Sequence, residues 1–122
     1  MKNSSQALGK EGEEMAKAFL IKKGYTILAS NWRFKKYEID IIAEIKDVIV
    51  FLEVKARTSD AFGDPEMFVT KKQQKFIISA ADNYLQNGQI LKEARFDIIA
   101  VLQINNNITV KHLEAAFYPS VK

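Results

Sequence analysis

Cysteine is absent from this 122-residue chain, and histidine occurs once. The first absence excludes disulfides and thiolate metal sites. It also fits a reducing compartment. The second leaves His112 without a partner histidine for a metal site, so it reads as a surface or packing residue near the end of an edge strand. No apolar run approaches the ~18–20 residues of a membrane span. The N-terminal stretch MKNSSQALGKEGEE has no apolar segment of the kind a secretory signal carries. A cytoplasmic protein with no membrane partner is the expectation. Repeats, low-complexity tracts and long linkers are missing too. At this length one domain spanning 1–122 is expected, with residues 1–5 and 118–122 as loose ends.

What is present is an ordinary globular composition, 48% hydrophobic and 27% charged, with a net charge of +3 and a pI near 9.1. Such a balance permits a polyanionic partner without demanding one. The placement of the basic residues says more. Arg33, Lys35 and Lys36 form one group, Lys55 and Arg57 a second, and Lys71, Lys72 and Lys75 a third. A solvated surface is the plain reading of each.

Helical spacing runs through residues 6–23, where Leu8, Gly12, Met15, Ala16, Phe19 and Leu20 share a face and Gly24 supplies a stop. A strand follows over 25–32. Residues 38–45 and 48–56 are Ile- and Val-rich and flank a tight polar turn at Lys46-Asp47, which predicts a hairpin. Its second strand is apolar at nearly every position, so it should be covered on both faces and lie centrally. Turn signals cluster at Gly63, Asp64 and Pro65 within a loop over 57–69. A second helix at 70–87 shows Ile77, Ala81, Tyr84 and Leu85 on its apolar face and ends at Asn87-Gly88. A buried strand at 95–104 and a short edge strand, ITVKHL, complete the chain; the tail AAFYPSVK has no clear pattern. The order α-β-β-β-α-β-β describes an α/β fold with a mixed central sheet flanked by helices. The strand-helix-strand unit should make one strand pair parallel.

The hairpin, YEIDIIAEIKDVIVFLEVKAR, carries charges where burial is expected. Glu53 and Lys55 are two apart on one strand and share a face. A turn at 46–47 pairs residue i with about 93 − i, which sets Asp40 opposite about Glu53. Charges in an apolar strand cost several kcal/mol unless paired, coordinated or neutralised. Two neighbouring carboxylates raise each other's pKa. A divalent cation relieves both, and two carboxylates with backbone carbonyls and water suit Mg²⁺. Lys55 beside them can orient a water or stabilise charge on a phosphoryl group. The alternative is an ion-pair triad at the exposed end of the sheet, because short charge patterns are common.

Other residues have two readings as well. Thr70-Lys71-Lys72-Gln73 has the form of a capping box, which accounts for Gln73. Lys71 and Lys72 then sit in a first turn where cations oppose the helix dipole. They are either solvated or hold phosphate together with the open N–H groups of the helix start. Arg57 should share the face of Lys55 and is suited to bidentate phosphate contact. Trp32 and Phe34 flank Arg33, and core packing is the stronger reading over base stacking. Arg95 and Asp97 suggest a structural ion pair or a cap at a strand start.

Taken in order, GKEGEEMAKAFLIKKGY, NWRFKKYEIDIIA, VFLEVKAR, FGDP, VTKKQQK, RFDIIAV and the final AAF resemble the YraN-like family of bacterial proteins. That family is related to archaeal Holliday-junction resolvases, and the EID…EVK core resembles the PD-(D/E)XK nuclease signature. The resemblance covers nearly everything from Gly9 onward. It implies a restriction-endonuclease-like fold and a Mg²⁺-dependent endonuclease (Mn²⁺ as substitute) acting on DNA, including branched or junction forms. It implies metal binding by Asp40 and Glu53 and a catalytic role for Lys55. Glu13 matches a helix carboxylate that joins the site in resolvase-like relatives, although the helix dipole also favours a glutamate there. Gln74 would carry a family glutamine, and with the basic residues Arg33, Lys36, Arg57, Lys71 and Lys72 it makes up the candidate nucleic-acid contacts. A homodimer follows by analogy, since a four-way junction needs paired cuts. Two departures stand out: Tyr37 replaces a family glycine before EID, and Gln73-Gln74 replaces a Lys-Gln pair. Tyr37 could instead stack on a base. A nucleic-acid-binding protein that keeps the fold without substantial turnover is the competing function, and a scaffold with an ion-pair triad is a third.

Overall fold

The computed structural model describes residues 4–58 and 69–119. The turn signals at Gly63, Asp64 and Pro65, the FGDP motif and the outermost ends lie outside the described residues, as does the Leu8 side chain. Helix α1 spans Ser4–Lys22 and α2 Lys71–Asn87. The strands are β1 (Thr26–Phe34), β2 (Tyr37–Ile45), β3 (Val48–Arg57), β4 (Glu93–Ile104) and β5 (Asn107–Phe117). The order is the expected α-β-β-β-α-β-β, so residues 4 and 5 belong to a helix rather than a loose end.

The strands lie side by side in chain order. Three neighbouring pairs are antiparallel hairpins, while β3 and β4 are parallel and joined through α2. Strand β3 is central, as its unbroken apolar run requires. Its alternation feeds two cores. Ile49 and Phe51 pack with Ile77, Ala80 and Ala81 of α2. Val50 and Leu52 pack with Ala16 and Leu20 of α1. Continuing that alternation places Glu53, Lys55 and Arg57 on the α2 face. Helix α1 approaches closely because residue 12 is glycine: a Cβ there would stand 3.2 Å from the Ala56 Cβ.

Both helices stop on left-handed residues. Gly24 (φ 100°) ends α1, and the Tyr25 N–H donates to the Leu20 carbonyl. At the end of α2 the left-handed residue is Gln89 (φ 53°), while Gly88 remains right-handed. The Ile90 N–H donates to the Leu85 carbonyl, which completes a Schellman turn with a glutamine where glycine is usual.

Strand β5 is longer than the sequence suggests and includes Ala115, Ala116 and Phe117. Its register with β4 runs from Ile98↔Leu113 to Phe96↔Phe117, so β5 carries two extra residues there. Ala115 bends through φ 52°, and its N–H donates to Asp97 Oδ1 at 2.9 Å. Asp97 is fully buried. It also accepts from Arg95 Nε at 2.9 Å and Nη2 at 2.8 Å, the ion pair anticipated from RFD. His112 is no surface residue: its side chain is 2% exposed, and Nε2 lies 2.7 Å from Asp97 Oδ2. Lys23 Nζ stands 2.9 Å from His112 Nδ1. An ammonium only donates, so Nδ1 accepts and the ring proton sits on Nε2, aimed at Asp97. Burial alone would raise the Asp97 pKa, but hydrogen bonds from His112, Arg95 and Ala115 outweigh it and hold the carboxyl below its ordinary value of 3.8.

Two stability tests follow. Asp97→Ala strips a buried charge network and should cost about 3–5 kcal/mol in denaturant unfolding. The stabilisation from Asp97 should be complete above pH 4 or so and fade as pH falls through its depressed folded value. Gln89→Gly should raise stability by up to about 1 kcal/mol, because glycine carries no left-handed penalty.

Candidate active site

The β2–β3 ladder follows the predicted register from Ile45↔Val48 to Ile41↔Leu52 and goes no further. The Val54 N–H, which a continued ladder would direct at the β2 backbone, donates to Asp40 Oδ2 at 2.8 Å. A carboxylate thus replaces a strand as the acceptor, and the two strands part at the level of the charges. Alternation in β2 breaks at the same point, since Ile39 and Ile42 both enter the α2-side core. Opposite Asp40, between Trp32↔Ile39 and Ser30↔Ile41, stands Asn31 at φ 51°. Ala29 and Trp32 also share the α2 side. The kink therefore crosses both strands at one level.

Asp40, Glu53 and Lys55 meet where the hairpin opens. Lys55 Nζ lies 3.5 Å from Glu53 Oε2, with the side chains 16% and 13% exposed. Burial pushes the Asp40 pKa up to about 8, and the charge of Glu53 adds to it, with smaller contributions from Glu13 and Glu38. Burial also raises the Glu53 pKa, against the attraction of Lys55, and Asp40 is near enough to share a hydrogen bond with it. With no cation bound, Asp40 thus favours its protonated form near neutral pH. Two hard oxygen donors facing a charge deficit fit Mg²⁺. Among the described residues no group of three His, Asp or Glu side chains forms a ligand set. Glu13 on α1 acts on Asp40 through its field, and the remaining positions around an ion would fall to water and backbone carbonyls, as Mg²⁺ accepts.

The predicted nucleic-acid contacts divide. Beside Glu53 lies a cleft of about 410 Å³, whose walls include Lys36, Tyr37, Lys72 and Phe76. Lys71 and Gln74 border a different groove, with Tyr118. Gln74 Nε2 donates to the Val69 carbonyl at 3.3 Å. Gln73 and Thr70 form the reciprocal capping box expected of them. Arg33 pairs with Glu38 at 3.1 Å. Arg57 Nη1 donates to the Ala56 carbonyl at 2.8 Å, at the end of β3. Trp32 packs, as expected, against Tyr84 with centroids 5.3 Å apart. Tyr37 stacks on Phe76 at 4.5 Å. The sequence reading missed Phe76 and Glu38 as cleft residues, although Phe76 lies four residues beyond Lys72, one helical turn on.

Comparison with known proteins gives a family. A profile described as "Uncharacterised protein family UPF0102" matches residues 12–101. A UPF0102 protein of Phocaeicola vulgatus is 44% identical over 113 residues, covering 93% of each chain. One from Flavobacterium psychrophilum is 44% identical over 111 residues, 91% of this chain and 93% of its own. One from Alkaliphilus oremlandii is 41% identical over 116 residues, 93% of this chain and 99% of its own.

The raised Asp40 pKa gives a signed expectation. In the metal-free protein its contribution is full below the unfolded value of 3.8 and is lost as pH rises through about 8. In chelator, thermal unfolding should show stability falling across that window in the parent and less so in Asp40→Asn. Added Mg²⁺ should raise the parent's melting temperature most at the alkaline end and leave Asp40→Asn unmoved. Equal pH profiles for the two proteins would contradict the raised Asp40 pKa.

Proposed function

Because the chain belongs to the uncharacterised protein family UPF0102, whose name carries no activity, we propose its function from the site: a Mg²⁺-dependent endonuclease that hydrolyses DNA phosphodiesters, including those at branched structures. One observation carries the reading. Two carboxylates and a lysine converge at the opening of a buried hairpin, where the Val54 N–H is turned onto Asp40. The same features support a hydrolytic centre better than a structural triad, because Lys55 pairs with Glu53 while burial and the Glu53 charge keep Asp40 from ionising freely, a penalty that a bound cation would lift.

Asp40 and Glu53 are the residues that would hold the ion. Held there, Mg²⁺ would supply Lewis acidity toward the water nucleophile and the phosphate charge. Lys55, anchored on Glu53, presents its ammonium to the attacking water or to the phosphoryl oxygens as they gain charge. Lys36 and Lys72 line the adjoining cleft and offer charge to the flanking backbone. Paired cuts at a junction would call on a homodimer, each copy contributing one site.

A binding module without turnover is favoured by one observation, the lack of a third protein ligand among the described residues. Salt-sensitive DNA binding that ignores both metal and Asp40→Ala would support that reading.

The test is cleavage of linear, flapped and four-way DNAs by purified protein across a Mg²⁺ and Mn²⁺ titration. Asp40→Ala and Glu53→Ala should each lower the rate by about 10²–10³-fold or more, and Lys55→Ala by a comparable factor. Metal-independent cleavage, or cleavage that survives both carboxylate substitutions, would point to a contaminant and end the proposal.

A further inference from the structure

The cleft beside Glu53 has walls of three kinds. Glu53 stands on one side, next to Lys55 and the Asp40 carboxyl. Tyr37 and Phe76 form a second wall, their rings 4.5 Å apart and only 16° from parallel. Lys36 and Lys72 supply the third, with Lys72 Nζ 5.9 Å from the Phe76 centroid. The volume, about 410 Å³, falls in the ~300–1,000 Å³ range of sites that enclose one small molecule.

We propose that this cleft receives a single unstacked nucleotide, its base against the Tyr37–Phe76 pair and its phosphates between Lys36 and Lys72. The substrate is then an unpaired strand or flap rather than continuous duplex. The inference rests on the nuclease reading and narrows its substrate class.

Packing alone accounts for the buried aromatics of this core. Phe51, Phe96 and Phe117 stack on one another and are buried. Tyr37 and Phe76 differ, because both stay half-buried and both border the cleft. Every base has a π-face, so such a platform accepts any sequence. Within a duplex those faces are covered by neighbouring base pairs, and a base reaches a recessed ring only after leaving the stack. Cations at the rim suit the phosphates that flank it. Glu38 also borders the cleft and would oppose phosphate, but Arg33 meets its charge at 3.1 Å. A base seated here carries its backbone beside Glu53, where the proposed chemistry lies.

The test uses the full chain and oligodeoxynucleotides of about 12 nucleotides, within the span such grooves cover. A single strand containing 2-aminopurine is compared with the same sequence as a blunt duplex, in Ca²⁺ to hold the metal site without turnover. The single strand should bind about tenfold or more tightly than the duplex, with 2-aminopurine fluorescence quenched on binding. Tyr37→Phe should keep both properties. Tyr37→Leu should lose the quenching and about 5- to 100-fold in affinity. Lys36→Ala, in an exposed turn, should weaken binding and flatten its salt dependence with an unchanged melting temperature, which separates a binding effect from misfolding. Equal affinity for duplex and single strand, or quenching that survives Tyr37→Leu, overturns the inference. Asp40-dependent cleavage measured on the same preparations would then leave the nuclease reading standing. Absence of binding to either DNA, together with absence of cleavage, removes both.

Discussion

The hydrogen bond from the Val54 N–H to Asp40 Oδ2 stands where a central hairpin stops being a sheet. Had the ladder continued, the Val54 N–H would be directed at the β2 backbone rather than at the Asp40 carboxyl. Because Asp40 takes the amide itself, the backbone donor stays satisfied while the strands diverge. Beside the parting strands, the cleft lined by Glu53 opens at one end of the core. Asn31 on β1 turns at the same level, so the edge strand follows the kink instead of closing it. On the far side of β3 the parallel pairing with β4 runs unbroken from Val48 to Arg57. Beyond Leu52 the central strand is therefore paired on its β4 edge and unpaired on its β2 edge, which suits a site that must hold its groups in place.

Two aspartates stand in Ile-rich strands, Asp97 fully buried and Asp40 half-buried, and the contrast between them is chemical. Asp97 accepts from Arg95, His112 and the Ala115 amide, so its charge is stable and its pKa falls. It knits β4 to the bulge of β5 and, through Lys23, to the end of α1. Asp40 accepts one amide and faces a second carboxylate, so its pKa rises. The first arrangement is complete within the protein. The second is not, and an incomplete electrostatic arrangement in a cleft is the usual mark of a site that waits for a ligand. Burial disfavours the charge at both; the neighbours decide the sign.

Much of this was legible in the sequence because it rests on local rules. Helical periodicity, capping at Thr70 and the Gly24 stop depend on residues a turn apart. The hairpin register followed from a two-residue turn, and Ile41↔Leu52 obeys it. What local rules could not give was the departure from them. Nothing near Asp40 announces that the ladder ends one residue before it. The bulge in β5 turns on an alanine at φ 52°, not the glycine or asparagine that would signal it. Between surface and packing, the two readings open for His112, the structure selects packing, and a lone Asp97 inside RFDIIAVL already required a partner. Adjacent lysines mislead in the same way. Lys71 and Lys72 look like one patch, but successive helical residues point about 100° apart, and the two border different grooves.

Position on the helix also explains why the cleft has its character. Lys72 and Phe76 are four apart on α2 and lie on one face. The face that follows, at Ile77, Ala80 and Ala81, is buried against the sheet. Helix α2 is thus fixed by its apolar side, and the residues at its margin are left to line the opening. The same packing brings Phe76 onto Tyr37, whose place in the sheet is set by the Phe34↔Tyr37 closure of the β1–β2 hairpin. The aromatic wall therefore comes from two elements, each anchored by contacts that have nothing to do with the cleft. The carboxylate wall comes from a third element, β3, held by its pairing with β4. A cleft whose walls are separately anchored resists collapse when empty, and that permits charged groups to remain beside an apolar core without closing onto one another.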